Sequence, residues 1–369
     1  MIRKIVAHLS PSMKARLKDS PLAQAVGRRM LAREVVDFRE QGRVFSVRMD
    51  MTNICNLQCK MCPWPALAKS GKVRREDMPL ELFQRIAEQV FPYTRNLQLG
   101  CEFEATLHPN LPEMLRIAMD SGVTQSGMIT NGTRLTPQLC EAIAQSDLTS
   151  VGISIDGPDA ESFESIRIGA KFDQVIQRAK RYVETLQRQE RPGPRLKINH
   201  VLMCSTLDRL DDFARLCIDI GASEIEFLHC APRTRENAEY AGNRPEAYNA
   251  ARERTVLLLD AAGVRYDIPD PFDLDDETGR YEVRDVNREI CGQCQAPWRL
   301  MQINSRGQVF PCSPRTVKPP FGDFRRETFD EIWNNLQYLQ LRYELRTGQP
   351  SGPCVGCRSF STGKALEEF

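Results

Sequence analysis

The 369-residue chain predicts an α/β fold built on a parallel sheet, and three observations carry that prediction. Six short β-branched or apolar runs recur along its first two thirds, each ending in a polar or glycine-containing loop. Segments with apolar spacing near 3.6 separate them. A cluster of three cysteines follows the first run directly. Strands alternating with helices imply right-handed crossovers and parallel pairing. Six such units can close part of a barrel or wind into an open doubly wound sheet. In both arrangements chemistry collects at the C-terminal ends of the strands.

Residues 1–43 carry ten Lys/Arg against four Asp/Glu and read as a basic helical extension packed on the edge of the fold. The core then spans 44–266. Its strands are VFSVRMDM (44–51), NLQLG (96–100), SGMIT (126–130), SVGISI (150–155), LKINHVLM (196–203) and SEIEFLH (223–229). In PLELFQRIAEQVF, Leu82, Phe83, Ile86 and Val90 share one helical face, with Pro79 suited to the first turn. In FDQVIQRAKRYVETL, Val175, Ile176, Ala179, Tyr182, Val183 and Leu186 do the same. Residues 267–289 hold nine Asp/Glu, three Arg and two Pro, the composition of a linker. A cysteine-rich region covers 290–369.

Composition narrows the function. The formal charge is +1, with 50 basic and 49 acidic residues, which favours neither nucleic acid nor membrane as a partner. No apolar run reaches the 18 residues of a membrane span, and the N-terminus lacks a secretory core, so a cytoplasmic location is expected. Thirteen cysteines in such a chain read first as ligands or reactive thiols.

Cys55, Cys59 and Cys62 have the spacing C-x3-C-x2-C. Thiolates are soft ligands for zinc, copper(I) or iron–sulfur clusters, and a structural zinc wants four ligands where this loop offers three. A four-iron cluster on three cysteines keeps one iron open. The motif, after the first strand of a β/α core, resembles the signature of the radical S-adenosylmethionine (SAM) superfamily. The resemblance implies a partial (β/α)6 TIM-like barrel, a [4Fe-4S] cluster, SAM chelated to the open iron, and reductive cleavage to a 5′-deoxyadenosyl radical that takes a hydrogen atom from substrate. The cofactors then carry the hard chemistry.

LGCEFEATLHPNL (99–111) lies where that family has a Gly-Gly-Glu-Pro motif whose backbone meets the SAM amino group. Glu104 takes the Glu position, while both glycines and the proline are absent. By the same resemblance Asn131, in ITNGT, ends the third strand. Ser154 and Asp156, in ISIDGP, lie near the SAM ribose or carboxylate. Arg167 helps hold the carboxylate, and Met61 stands where an aromatic often meets adenine.

In the C-terminal region, Cys291-x2-Cys294 with Cys354-x2-Cys357 reads as a zinc ribbon that leaves Cys312 over. A second set, Cys294, Cys312, Cys354 and Cys357, leaves Cys291 instead. The predicted hairpin LMQINSRGQVFPC brings the thiol before Pro297-Trp298 beside Cys312 and favours the second set. Thr328-x-x-Glu331 forms a capping box for a helix with Phe329, Ile332, Trp333, Leu336 and Leu339 on its apolar face. Hairpin, helix and CxxC together resemble the SPASM/Twitch extension of radical SAM enzymes. That resemblance implies a small α+β domain with an auxiliary [4Fe-4S] cluster that accepts an electron.

Cys140 and Cys217 sit in helical apolar patterns and read as core residues. Cys101, Cys204 and Cys230 fall near the ends of strands two, five and six, as candidate hydrogen donors. With such a thiol the enzyme would epimerise; without one it would dehydrogenate. His229, Arg233 and Glu102 are further candidates to face substrate. The expected substrate is a small sugar- or cyclitol-like metabolite, with peptide modification of the RiPP type as the alternative. A flavodoxin- or ferredoxin-like protein would supply electrons. A non-catalytic zinc or cluster protein that binds nucleic acid is the reading from another class.

Overall fold

The computed structural model describes residues 31–69, 74–189, 193–231, 236–272, 294–313 and 317–355. The expectations for 1–30, most of the acidic linker, Arg233, Cys291 and Cys357 lie outside these residues.

All six expected strands form: β1 (Phe45–Met49), β2 (Thr94–Leu99), β3 (Gln125–Thr130), β4 (Ser150–Ser154), β5 (Arg195–Leu202) and β6 (Glu224–His229). They pair in parallel in sequence order. The fold is the mixed α/β, TIM-like arrangement expected. A seventh parallel strand, β7 (Arg265–Asp267), adds to β6 and crosses the expected boundary at residue 266. Residues just beyond it pack on the core: Ile268 is buried, and the Pro269 carbonyl accepts from Tyr248 and Arg252.

Two-residue alternation sets the faces of the sheet. Val47, Leu97, Leu99, Val151, Ile153, Leu196, Ile198 and Phe227 enter the apolar core. Helices cover that side: α1 (Leu80–Val90), α2 (Leu111–Asp120), α3 (Pro137–Ala144), α4 (Ala160–Ile166), α5 (Phe172–Gln187), α6 (Leu210–Ile220) and α7 (Pro245–Ala262). Pro79 stands at the N-cap of α1, one residue before the expected first turn. Cys140 and Cys217 are fully buried in α3 and α6. The opposite face is polar. Arg48, Asn96, Gln98, Ser154, Lys197, Asn199, Glu224 and Glu226 alternate with the core residues there.

The C-terminal hairpin forms as expected from β8 (Leu300–Ile303) and β9 (Gln308–Phe310), and β10 (Gly322–Asp323) adds to it. It does not stand apart. β8 pairs in parallel with β1, Ser46 opposite Leu300 and Met49 opposite Ile303, so one ten-stranded sheet runs from β10 to β7. The capping box at Thr328 and Glu331 is present. The single helix expected after it is two, α8 (Phe329–Trp333) and α9 (Leu336–Arg346). Asn335 caps α9 by accepting from Tyr338 N at 3.0 Å, and Asn334 turns aside to bond both backbone groups of Val36.

Residues 31–41 thus strap the C-terminal helices to the core. Phe38 packs on Phe329 and Tyr93 at 4.4 and 4.7 Å, and buried Glu34 pairs with Arg346. Arg342 is fully buried, with Nε on the Pro297 carbonyl at 2.9 Å and its plane over Trp333 at 4.6 Å. Guanidinium planes stack on indole in this way when desolvated. No helix among the described residues is long and apolar enough to cross a membrane.

Candidate functional site

The cysteine loop leaves the C-terminal end of β1 and is held by backbone bonds to residues 166 and 168 at the end of α4. Gln58 N donates to Ile168 O at 2.9 Å, and Lys60 N donates to Ile166 O at 2.8 Å. Lys60 Nζ pairs with Glu239 at 2.6 Å, tying the loop to the segment after β6. Cys55, Cys59 and Cys62 are each part-exposed. Burial pushes the Cys55 thiol up and the Cys59 thiol up to about 11, so a metal centre binding there must displace protons.

Polar groups from the ends of β2, β3 and β4 converge on this loop. Glu104 is 2% exposed, and its carboxylate accepts from Thr130 Oγ1 and Asn131 N, both at 2.6 Å. Asn131 Nδ2 donates to Asn56 Oδ1 at 3.0 Å and lies 3.9 Å from Cys55 Sγ. Asp156, fully buried, accepts from Val201 N and from Arg167 Nε, each at 2.7 Å. The other arm of Arg167 reaches Cys59 Sγ at 4.0 Å. Glu104, Asn131, Asp156 and Arg167 are therefore brought together, spending their hydrogen bonds on the loop's architecture.

Met61 packs with Val201 on a small apolar cluster of Ile166, Met203 and Cys230, separate from the main core. An apolar patch beside the thiols suits a flat heterocycle. Ser154 ends β4, in register with Asn199.

Two of the three candidate hydrogen donors, Cys204 and Cys230, share the segment 237–240, and the third lies elsewhere. Cys230 lies in the Met61 cluster, and Cys204 donates to Tyr240 O at 3.1 Å. Cys101 lies instead with Asp50 and Arg48 at β1, where burial pushes its thiol well above the usual range. His229 faces away from this polar face. It sits among Tyr240, Tyr248 and Phe272 at 5.5–5.6 Å, because odd residues of β6 point toward the helices. Glu102 lies in the β2 loop, its N–H on Asp50.

Sequence reading missed the floor between the strands. Asn199 is 8% exposed, and its Nδ2 fills the space of a Gly152 side chain, 2.5 Å from where that Cβ would be. The Oδ1 atoms of Asn199 and Asn96 have no hydrogen-bond partner among the described residues. Lys197, two residues before Asn199 on β5, pairs with Glu226 at 2.8 Å. An i, i+2 row of polar residues within an apolar strand was the available signal.

The turn after β2 depends on Gly100. Its φ is +70°, and an added Cβ would stand 2.8 Å from Ala105 Cβ and 2.9 Å from Ile129 O. Gly100→Ala is expected to cost about 2–4 kcal/mol, from left-handed strain plus overpacking. Calorimetric unfolding beside the parent chain checks this.

The donor set fits a cluster. Cys55, Cys59 and Cys62 give three thiols where a structural zinc wants four ligands. A cubane spreads its thiolates over separate irons and is tuned by N–H donors near the sulfurs, the placement that Asn131 and Arg167 have at 3.9 and 4.0 Å. In the C-terminal region Cys294 precedes β8, Cys312 follows β9, and Cys354 ends the turn Gly352–Cys354.

A parallel α/β sheet with a three-thiol loop at the C-terminal end of its first strand defines a cluster-dependent enzyme. The family model for the radical SAM superfamily matches residues 49–217, and that for the SPASM iron–sulfur cluster-binding domain matches 294–358. The chain belongs to the radical SAM superfamily and carries a C-terminal SPASM domain; its cofactors are [4Fe-4S] clusters and SAM. It is 22% identical over 345 residues to the AdoMet-dependent heme synthase of Methanosarcina barkeri, covering 87% of this chain and 94% of that one. It is 27% identical over 323 residues to the mycofactocin maturase MftC of Mycobacterium tuberculosis, covering 85% and 75%. Among solved structures, Streptococcus suis SuiB bound to precursor peptide SuiA matches with a TM-score of 0.62 at 16% identity, covering 90% of this chain and 71% of that one. Against SuiB bound to SAM the values are 0.59 and 15%, with 79% of this chain and 66% of that one covered.

Proposed function

We propose that this radical SAM enzyme modifies a peptide. The observation that carries the reading is the polar face of the sheet. There part-exposed Arg48, Gln98, Lys197 and Glu226 present donors and acceptors of both charges, which suit the amide and charged groups of an extended chain. Similarity to a maturase across both cluster-bearing regions, and a fold shared with a peptide-bound enzyme, support it. They favour the peptide over the sugar- or cyclitol-like metabolite expected from sequence.

In this reading residues 44–266 form the catalytic core and 290–369 the auxiliary region. Cys55, Cys59 and Cys62 hold the first cluster; Cys294, Cys312, Cys354 and Cys357 hold the second. When bound, these groups and SAM would supply an electron, radical hydrogen-atom abstraction and an acceptor for the second electron. The chain's own residues position and shield. Arg167, braced by Asp156, sets positive charge beside Cys59. Met61 and its apolar neighbours receive adenine, with Ser154 and Asn131 at the rim. Lys197 and Glu226 orient the substrate. Oxidation is the favoured outcome. Cys230 is the thiol best placed near the Met61 cluster to return a hydrogen instead. A flavodoxin- or ferredoxin-like donor would reduce the first cluster in the cytoplasm.

The test is turnover by anaerobically reconstituted protein with SAM and dithionite, offered a peptide panel and, separately, sugars and aminocyclitols. The expected result is 5′-deoxyadenosine formed in step with a mass-shifted peptide. Turnover of the sugars alone would return the reading to a small metabolite.

A further inference from the structure

The loop after β2 is organised by a carboxylate from another strand. Asp50 closes β1 and is 4% exposed. Its Oδ1 accepts from Cys101 N at 2.8 Å, Glu102 N at 2.9 Å and Phe103 N at 3.4 Å. Three successive amides converging on one carboxyl oxygen form a nest. In a planar trans peptide the N–H points opposite to the carbonyl it is joined to. Amides 101, 102 and 103, aimed at Asp50, therefore turn the carbonyls of residues 100, 101 and 102 to the other side.

The row is anchored at both ends. Gly100 N donates to Met49 O at 2.9 Å, and Glu104 N donates to Ile54 O at 3.1 Å, one residue before Cys55. Phe103 packs on Trp64, just after Cys62, with ring centroids 4.5 Å apart. The segment that carries these carbonyls is thus tied to the loop that carries the thiols. Carbonyl oxygens accept from a cation that carries N–H donors, such as an ammonium group.

We propose that Asp50 is a positioning residue for SAM, holding residues 101–103 so that the carbonyls behind them receive its ammonium. The assignment rests on the SAM-dependent reading above. It also gives a physical reason for the sequence Glu102-Phe103-Glu104-Ala105. Residues with a Cβ adopt a tight acceptor arc when an outside carboxylate collects their amides, where a glycine pair would adopt it unaided.

The experiment uses anaerobically reconstituted, full-length protein. For Asp50→Ala the KM for SAM in 5′-deoxyadenosine formation should rise at least tenfold. Its maximal rate should stay within about threefold of the parent, with iron content unchanged. Asp50→Asn keeps an acceptor oxygen and should restore the KM to within about threefold. An Asp50→Ala KM within twofold of the parent overturns the proposal, as does an Asn variant as impaired as the Ala one. Should Asp50→Ala fail to fold, amide exchange in the parent decides. Residues 101–103 should be protected before SAM is added, and protection appearing only with SAM overturns the assignment. A parent protein with no SAM affinity would sink the functional reading itself, an outcome distinct from a parent that binds and an Asp50 variant that binds equally well.

Discussion

Replacing Cys55, Cys59 and Cys62 together with Ala is expected to abolish 5′-deoxyadenosine formation while leaving the fold in place. The loop's shape comes from backbone contacts, Gln58 to Ile168 and Lys60 to Ile166, and none of these uses a thiol. All three cysteines are part-exposed, with Cys55 and Cys59 only at the margin of the core, so their loss costs little packing. With two cubanes bound, the parent should carry about eight irons and the variant about four. Single substitutions should fall nearly as far as the triple, because residues that act as a unit are not additive. Iron and sulfide analysis beside product chromatography measures both. If the triple variant still formed 5′-deoxyadenosine, the loop would not be the cluster site.

Asp156→Ala is expected to produce the largest loss of stability among the site variants. Asp156 is fully buried, and its partner Arg167 has a side chain only 11% exposed. Removing the carboxylate strands a buried guanidinium and orphans Val201 N, at a cost of about 3–5 kcal/mol. A chain of this size should lose roughly 4–6 °C of melting temperature. SAM binding should weaken in parallel, since Arg167 would no longer be held beside Cys59. The double variant Asp156→Ala/Arg167→Leu separates the causes: it should recover much of the stability but none of the binding. Recovery of both would show that the pair serves stability alone.

The core was legible because its signals are local. Each of the six strands carries its own apolar run, and α5 carries a full amphipathic stripe from Val175 to Leu186. β7 was missed because three residues, Arg265 to Asp267, offer no period to read. The split between α8 and α9 was hidden because Asn334 and Asn335 look like two tolerable helix residues. Their choice is made by Val36, 298 positions away. The thiol spacing exposed the cysteine loop. Asp50 stayed invisible for the opposite reason, since its three partners lie 51 to 53 residues downstream and are backbone amides that no side-chain motif records. His229 misled because its place at a strand end suggested the pocket, while strand parity sends it to Tyr248 and Phe272.

The parallel pairing of β8 with β1 has a consequence for synthesis on the ribosome. β1 emerges early, yet its outer neighbour lies about 250 residues later. At about 5–20 residues per second that edge waits for roughly 10–50 seconds with its N–H and C=O groups unclaimed. During that interval the nascent chain presents a β-branched, aromatic edge beside three uncapped thiols. Cluster delivery and chaperone engagement therefore compete for the same end of the same strand before the last quarter of the protein has been translated.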